Sequence, residues 1–138
     1  MIDVRRLRPG DESVVLALAV QDPPDATRLL SDERTFYVAA LDGERPIGLA
    51  FAHELLRRHG DPTMLFVYDI GVDEAYRRRG VATRLVRELE AIARERGIRT
   101  GFVLTNASND AAMALYRSLG GERPNDDDVM WDFDYAAG

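Results

Sequence analysis

The chain has 138 residues, 46% of them hydrophobic and 30% charged, with a formal net charge of −6 and no cysteine. That is one domain's length and composition, enough to bury a core unaided, and the missing cysteine excludes disulfides, thiolate metal sites and a cysteine nucleophile. Net acidity argues against non-specific nucleic-acid binding, which needs a dominant basic face, and suits a cationic substrate. All the basic residues are arginine. No stretch approaches the roughly 18 apolar residues of a membrane span, and the N-terminal segment lacks the apolar core of a secretion signal. The expectation is a cytoplasmic protein with no membrane and no nucleic-acid partner.

Ile2 to Leu7 alternates as a strand does, and Arg8-Pro9-Gly10-Asp11 breaks it. The run Glu-Ser-Val-Val-Leu-Ala-Leu-Ala-Val after Asp11 predicts a helix packed on one side, and Pro23-Pro24-Asp25 opens a second short one, Ala26 to Leu30. Thr35 to Leu41 reads as a strand, Asp42-Gly43 as a hairpin turn and Pro46 to Leu56 as the returning partner. After the turn Gly60-Asp61-Pro62, the nearly continuous apolar run Met64 to Val72 predicts a central strand buried on both faces. Val81, Leu85, Leu89 and Ile92 fall on one stripe of a helix that ends at Gly97, with Glu90 and Arg94 as a favourable i, i+4 pair. Ile98 to Thr105 predicts a strand, Ala111 to Leu119 a helix closed by Gly120-Gly121, and Val129 to Tyr135 a last strand. The order β, α, α, β, β, β, α, β, α, β predicts a mixed α/β domain over residues 1–138, a sheet with helices on both faces and a strand-helix-strand crossover from Met64 to Thr105.

The corner Arg77-Arg78-Arg79-Gly80-Val81-Ala82 leaves a strand and enters a helix. Free backbone NH groups at a helix start bind anions. Gly80 allows close approach, Ala82 keeps the next position small, and three arginines add charge suited to a phosphate-rich group. The chain has neither the lysine of a P-loop nor GxGxxG, so nucleotide hydrolysis and dinucleotide binding drop out.

The same residues match the R/QxxGxG/A pyrophosphate loop of the GCN5-related N-acetyltransferase family. Ile70 and Val72 stand where that family ends its LxV strand, and Asn109, Ala112, Leu115, Tyr116 and Gly120 match its NxxAxxLYxxxG signature. The three matches come in the family's order and span essentially the whole chain, which thus resembles this family. The resemblance implies a mostly antiparallel mixed sheet with one splayed parallel strand pair, and acetyl-CoA as co-substrate with no metal. It implies that backbone NH groups from Arg78 to Thr83, with Arg77, hold the pyrophosphate, and that the pantetheine arm pairs with Ile70 and Val72 in the splay. Asn109 and Ala112 would border that arm, and a backbone NH near the strand end would polarise the thioester carbonyl. Tyr116 would donate to the departing sulfur. Many members dimerise, so a homodimer is within the expectation.

An amine attacks only when unprotonated, so a base or a water chain is needed. Asp69 is the candidate: a carboxylate within the apolar run Leu-Phe-Val-Tyr-Asp-Ile is costly to bury and is expected to face a polar cleft, where it binds the acceptor ammonium and helps deprotonate it. Asp132 and Asp134 alternate along the predicted last strand and would share one face, making a negative basin for a small polycationic amine; Asp126 to Asp128 reads as a solvated loop. His53 and His59 have no third ligand and read as surface residues. Phe66 to Thr83 looks most like the GNAT-type aminoglycoside 3-N-acetyltransferases, although Asp132 and Trp131 stand about where a histidine and its neighbour are expected. The same chemistry on a peptide or polyamine amine, and a non-catalytic acyl-CoA-binding module, are the rival readings.

Overall fold

The computed structural model describes residues 1–136. The chain forms two compact units, Met1–Asn106 and a second beginning at Ala107.

The first unit is built on a five-stranded sheet in sequential order: β1 (Ile2–Arg6), β2 (Thr35–Asp42), β3 (Arg45–Leu56), β4 (Thr63–Val72) and β5 (Gly101–Val103). The first three pairings are antiparallel and β4 with β5 is parallel, as the crossover through a helix requires. The β2–β3 hairpin closes with Asp42 opposite Arg45, so Gly43 and Glu44 form the turn, one position beyond the expected Asp42-Gly43; Gly43 takes φ +63° there.

Helices cover both faces. On one side α3 (Val81–Glu95) presses Val81, Leu85, Leu89 and Ile92 onto Phe36, Val38, Ala40, Ile47, Ala50, Ala52 and Leu65. Each Val, Leu, Ile or Phe side chain among them contributes about 1.5–3 kcal/mol by leaving water. The expected pair Glu90–Arg94 forms at 2.8 Å, and Glu90 also meets Arg87 at 3.0 Å. On the other side α1 (Glu12–Leu18) and α2 (Ala26–Ser31) cover Tyr37, Ala39 and Leu41. Asp25 caps α2 by accepting from the Arg28 NH.

Alternate residues of β2 therefore feed both cores, and β2 is the strand buried on both faces. The expectation had given that place to β4, where only Leu65 is fully buried. The helices explain the difference: α3 covers one face of β4, while α1 and α2 end over β2 and β3. Strand β5 is also shorter than expected; Ile98 is buried beneath α3 before the strand begins, and residues 104–106 leave it. Gly101 is needed at its first position, since a Cβ there would lie 2.9 Å from the Leu65 carbonyl oxygen.

In the second unit α4 (Asp110–Ser118) ends in a turn in which the NH groups of Leu119 and Gly121 both donate to the Tyr116 carbonyl, with Gly120 at φ +86°. The expected strand at Val129 to Tyr135 does not form. These residues have no ladder partner among the described residues, and Val129, Met130, Trp131, Phe133 and Tyr135 are exposed. Alternation alone makes no strand without a neighbour to take its hydrogen bonds.

Candidate active site

A 3-10 turn, Glu74–Tyr76, follows β4 and is capped by Asp73, which accepts from the Ala75 NH at 3.0 Å. The chain then enters the left-handed region twice, at Arg78 (φ 64°) and at Gly80 (φ 75°), before α3 starts. Arg78 has the one positive φ outside glycine among the described residues, and a side chain held there costs on the order of 1–2 kcal/mol. The turn aims a run of NH groups outward: from Arg78 to Thr83 none donates to an acceptor among the described residues, and the first NH to do so is that of Arg84, to the Gly80 carbonyl at 3.1 Å. Unpaired NH groups at the positive end of a helix, here one of fifteen residues, are the arrangement that suits an anion.

The arginines divide the work around it. Arg77 Nε donates to the Val72 carbonyl at 3.2 Å, tying the loop to the end of β4. Arg79 lies over the Tyr76 ring at 5.3 Å, and Arg45 over the same ring at 5.8 Å. The Tyr76 hydroxyl donates to Asp42 at 2.6 Å, a bond that holds the Asp42 carboxyl below its ordinary value and raises the Tyr76 phenol. The loop is thereby tied to the β2–β3 turn before any ligand arrives.

Strand β4 supplies the rest. β5 pairs only with Leu65 to Val67, so from Tyr68 to Val72 that edge of β4 has no strand partner among the described residues. On its other edge Asp69 pairs with Phe51 but Val67 pairs with Ala52, which leaves Tyr68 as an extra, bulged residue. The bulge reverses the face parity. Leu65 and Val67 point toward α3, and an unbroken alternation would have sent Asp69 there too; instead Ile70 and Val72 take the α3 face, and Asp69 stands exposed on the opposite one. Asp69 is thus an exposed carboxylate, and it pairs with no cation among the described residues. Its neighbour is Tyr37, whose hydroxyl is raised by burial and further by the Asp69 charge.

Rings that sequence reasoning passed over lie on the same sheet face. Tyr37 and Phe51 lie 5.3 Å apart, Phe51 meets His53 at 4.8 Å, Tyr68 lies 5.6–6.0 Å from Phe51, His53 and Phe66, and Phe66 stacks on Phe102 at 4.7 Å. His53 is half-buried, with Nδ1 sharing a hydrogen bond with Thr35 Oγ1 at 3.2 Å, which corrects its reading as a surface residue. Aromatic residues at alternate positions in neighbouring strands were the available signal; the register needed to combine them was not.

In the second unit, Asn109 caps α4, its side-chain oxygen accepting from the Ala112 NH at 3.1 Å. Asn109 and Ala112 thus hold each other at the helix start, three residues apart as the motif spacing requires. Tyr116 is half-buried on the same helix. Asp132 and Asp134 lie in irregular, exposed chain, and the argument that they share a strand face lapses with the strand; Asp134 accepts from the Ala136 NH. Among the described residues no group of three or more histidine, aspartate or glutamate side chains is placed to hold a metal ion, and no helix is long and apolar enough to cross a membrane.

A model of the acetyltransferase (GNAT) family matches residues 5–120. The chain belongs to that family. The GNAT signature thus covers both the β4–α3 corner and α4. N-alpha-acetyltransferase RimI of Mycobacterium tuberculosis is 40% identical over 102 residues, which are 73% of this chain and 61% of that protein. The chain spans 25–61% of the length of the first curated relatives it matches. Among solved structures, an aminoglycoside acetyltransferase from an uncultured soil metagenomic sample is 25% identical with a TM-score of 0.80, covering 97% of this chain and 98% of that one. AAC(6')-Iy, in complex with a bisubstrate analogue of CoA and acetylneamine, has a TM-score of 0.81 at 19% identity, over 97% and 98% of the two chains, and shows the shared fold.

Proposed function

We propose that residues 1–138 act as one catalytic domain that transfers an acetyl group from acetyl-CoA to a primary amine. The observation that carries this reading is the run of NH groups from Arg78 to Thr83, without acceptors among the described residues, at the left-handed entry to α3. Those groups, with Arg77, Arg78, Arg79, Gly80, Val81, Ala82 and Thr83, fit a diphosphate. The unpaired edge of β4 offers the backbone of Ile70 and Val72 to the pantetheine amides, although the Val72 carbonyl already accepts from Arg77. Asn109 and Ala112, which match the family's motif, are assigned to cofactor binding in this reading.

Acetyl-CoA supplies an activated thioester. The Asp69 carboxylate binds the acceptor ammonium and takes its proton, directly or through water. The amine nitrogen then bonds to the thioester carbonyl carbon, the carbon–sulfur bond breaks, Tyr116 gives its hydroxyl proton to the departing sulfur, and the remaining extra proton on the new amide nitrogen passes through water to the tyrosinate. A backbone NH near Ile70 steadies the oxyanion.

For the acceptor, the 40% identity to a protein named as an N-alpha-acetyltransferase supports a peptide α-amine. A second reading, 3-N-acetylation of an aminoglycoside with Asp132 and Asp134 as further anchors, draws on the Tyr68-Asp69 strand, the arginine loop and the 25% identity to an aminoglycoside acetyltransferase. The test is calorimetry with acetyl-CoA followed by a thiol-release assay with peptides, spermidine and aminoglycosides. Binding with turnover of an amine is the expected result; absence of both would overturn the proposal.

A further inference from the structure

Two rows of cross-strand partners lie side by side on the sheet face that carries Asp69: Tyr37, Phe51 and Asp69 in one, Thr35, His53, Phe66 and Phe102 in the other. The bulged Tyr68 adds its ring between them. The Tyr37–Phe51 end is packed under α1 and α2. The other end is open, with Tyr68 63% and Phe102 38% exposed. Its rings are fixed beforehand, His53 by Thr35 and Phe66 by stacking on Phe102. A rigid row of rings left partly in water is a surface for an apolar partner.

The charge beside it narrows the partner. Within these two rows the one carboxylate is Asp69, and it pairs with no cation among the described residues. One carboxylate next to aromatic faces suits one ammonium, since the rings add cation–π attraction and shelter the pair from water. A polycation with amines spread over several sugar rings asks for several carboxylates, which these rows do not provide. An amine whose neighbouring carbon carries an apolar group uses both halves of the surface.

We propose that Asp69 and the open row Phe66, Tyr68 and Phe102 seat the first residue of a peptide, Asp69 holding the α-ammonium and the rings holding an apolar or aromatic side chain. This inference rests on the acetyl-transfer reading above and adds the acceptor's side-chain preference.

The test uses the whole chain, acetyl-CoA and tetrapeptides that differ only in their first residue, Phe, Leu, Gly or Asp, with sisomicin as the polycationic comparison. One apolar side chain in such a contact is worth roughly tenfold or more in kcat/KM, so Phe and Leu peptides should exceed the Gly peptide by about that ratio. In Tyr68→Ala the ratio should fall toward one, while Tyr68→Phe, which keeps the ring, should retain it; thermal melts check that both variants fold. A flat ratio in the unaltered protein, an unchanged ratio in Tyr68→Ala, or turnover of sisomicin with no peptide turned over would each overturn the proposal. A titration with acetyl-CoA separates the two claims: uptake with a flat ratio sinks the side-chain preference alone, and no uptake sinks the acetyl-transfer reading and this inference with it.

Discussion

Asp69 and Gly80 carry the sharpest expectations at the scale of single residues. Asp69→Asn keeps size and polarity but removes the charge and the proton acceptor. We expect kcat to fall by about 100-fold or more, the range of a lost general base, with acetyl-CoA affinity kept; stopped assays with parallel calorimetry would show it, and unchanged turnover would remove Asp69 from the mechanism. Gly80 sits at φ 75° with nothing within 4 Å of where a Cβ would stand, so Gly80→Ala meets no clash and bears only the left-handed penalty. That is about 1–2 kcal/mol. A loop that avoids the penalty by shifting would turn its NH groups aside, so a matching loss of acetyl-CoA affinity is expected by calorimetry. Gly80 was legible in the sequence because few residues accept that conformation; the left-handed Arg78 beside it was not, because arginine has no preference for that region.

At the scale of elements, the β4–β5 pair is the vulnerable joint. It consists of three residue pairs, Leu65–Gly101, Phe66–Phe102 and Val67–Val103. In Gly101→Ala the new methyl would meet the Leu65 carbonyl oxygen at 2.9 Å and its Cβ at 3.3 Å, both on a strand held by β3 on its other side. Overpacking against backbone costs about 1–3 kcal/mol. Denaturant unfolding should register that loss, and acetyl-CoA affinity should fall as well if the unpaired edge of β4 depends on where β5 leaves it. The α3 stripe and the β2–β3 hairpin were plain in the sequence, because a period near 3.6 and a glycine turn each signal one structure. The bulge at Tyr68 was not: it depends on β3 and β4 pairing out of step, which no residue within β4 announces. Neither was the fate of Val129 to Tyr135, since the pattern of a strand says nothing of whether a neighbour exists.

At the scale of the whole molecule, pH acts through carboxylates held in their charged form. Burial raises the Glu54 carboxyl, but hydrogen bonds from the Thr63 hydroxyl and the Arg96 guanidinium outweigh it, so the net displacement is downward; Arg96 Nε lies 2.8 Å from Glu54 Oε1. Asp11 is lowered by its bond to Arg5 and by the Arg8 NH, and Asp42 by Tyr76. A folded-state value below the unfolded one contributes stability that is present above the ordinary carboxylate range, near pH 4, and is lost as pH falls through the lowered value. Melting temperature should therefore be flat from neutral pH to about 5 and drop below about 4. Glu54→Gln should melt lower at pH 7 yet lose less on acidification, since its share of the pH dependence is gone; an identical acid slope would show that Glu54 has no such role. The amino-acid sequence by itself determined the family, the helix stripes, the hairpin and the arginine–glycine corner before α3, all of which are local patterns of residue type and spacing. Only the tertiary structure decided which strand lies in the middle, which face Asp69 occupies and which rings stand beside it. Those depend on strand register and on where α1, α2 and α3 settle over the sheet, and both are outcomes of contacts between residues far apart in the chain.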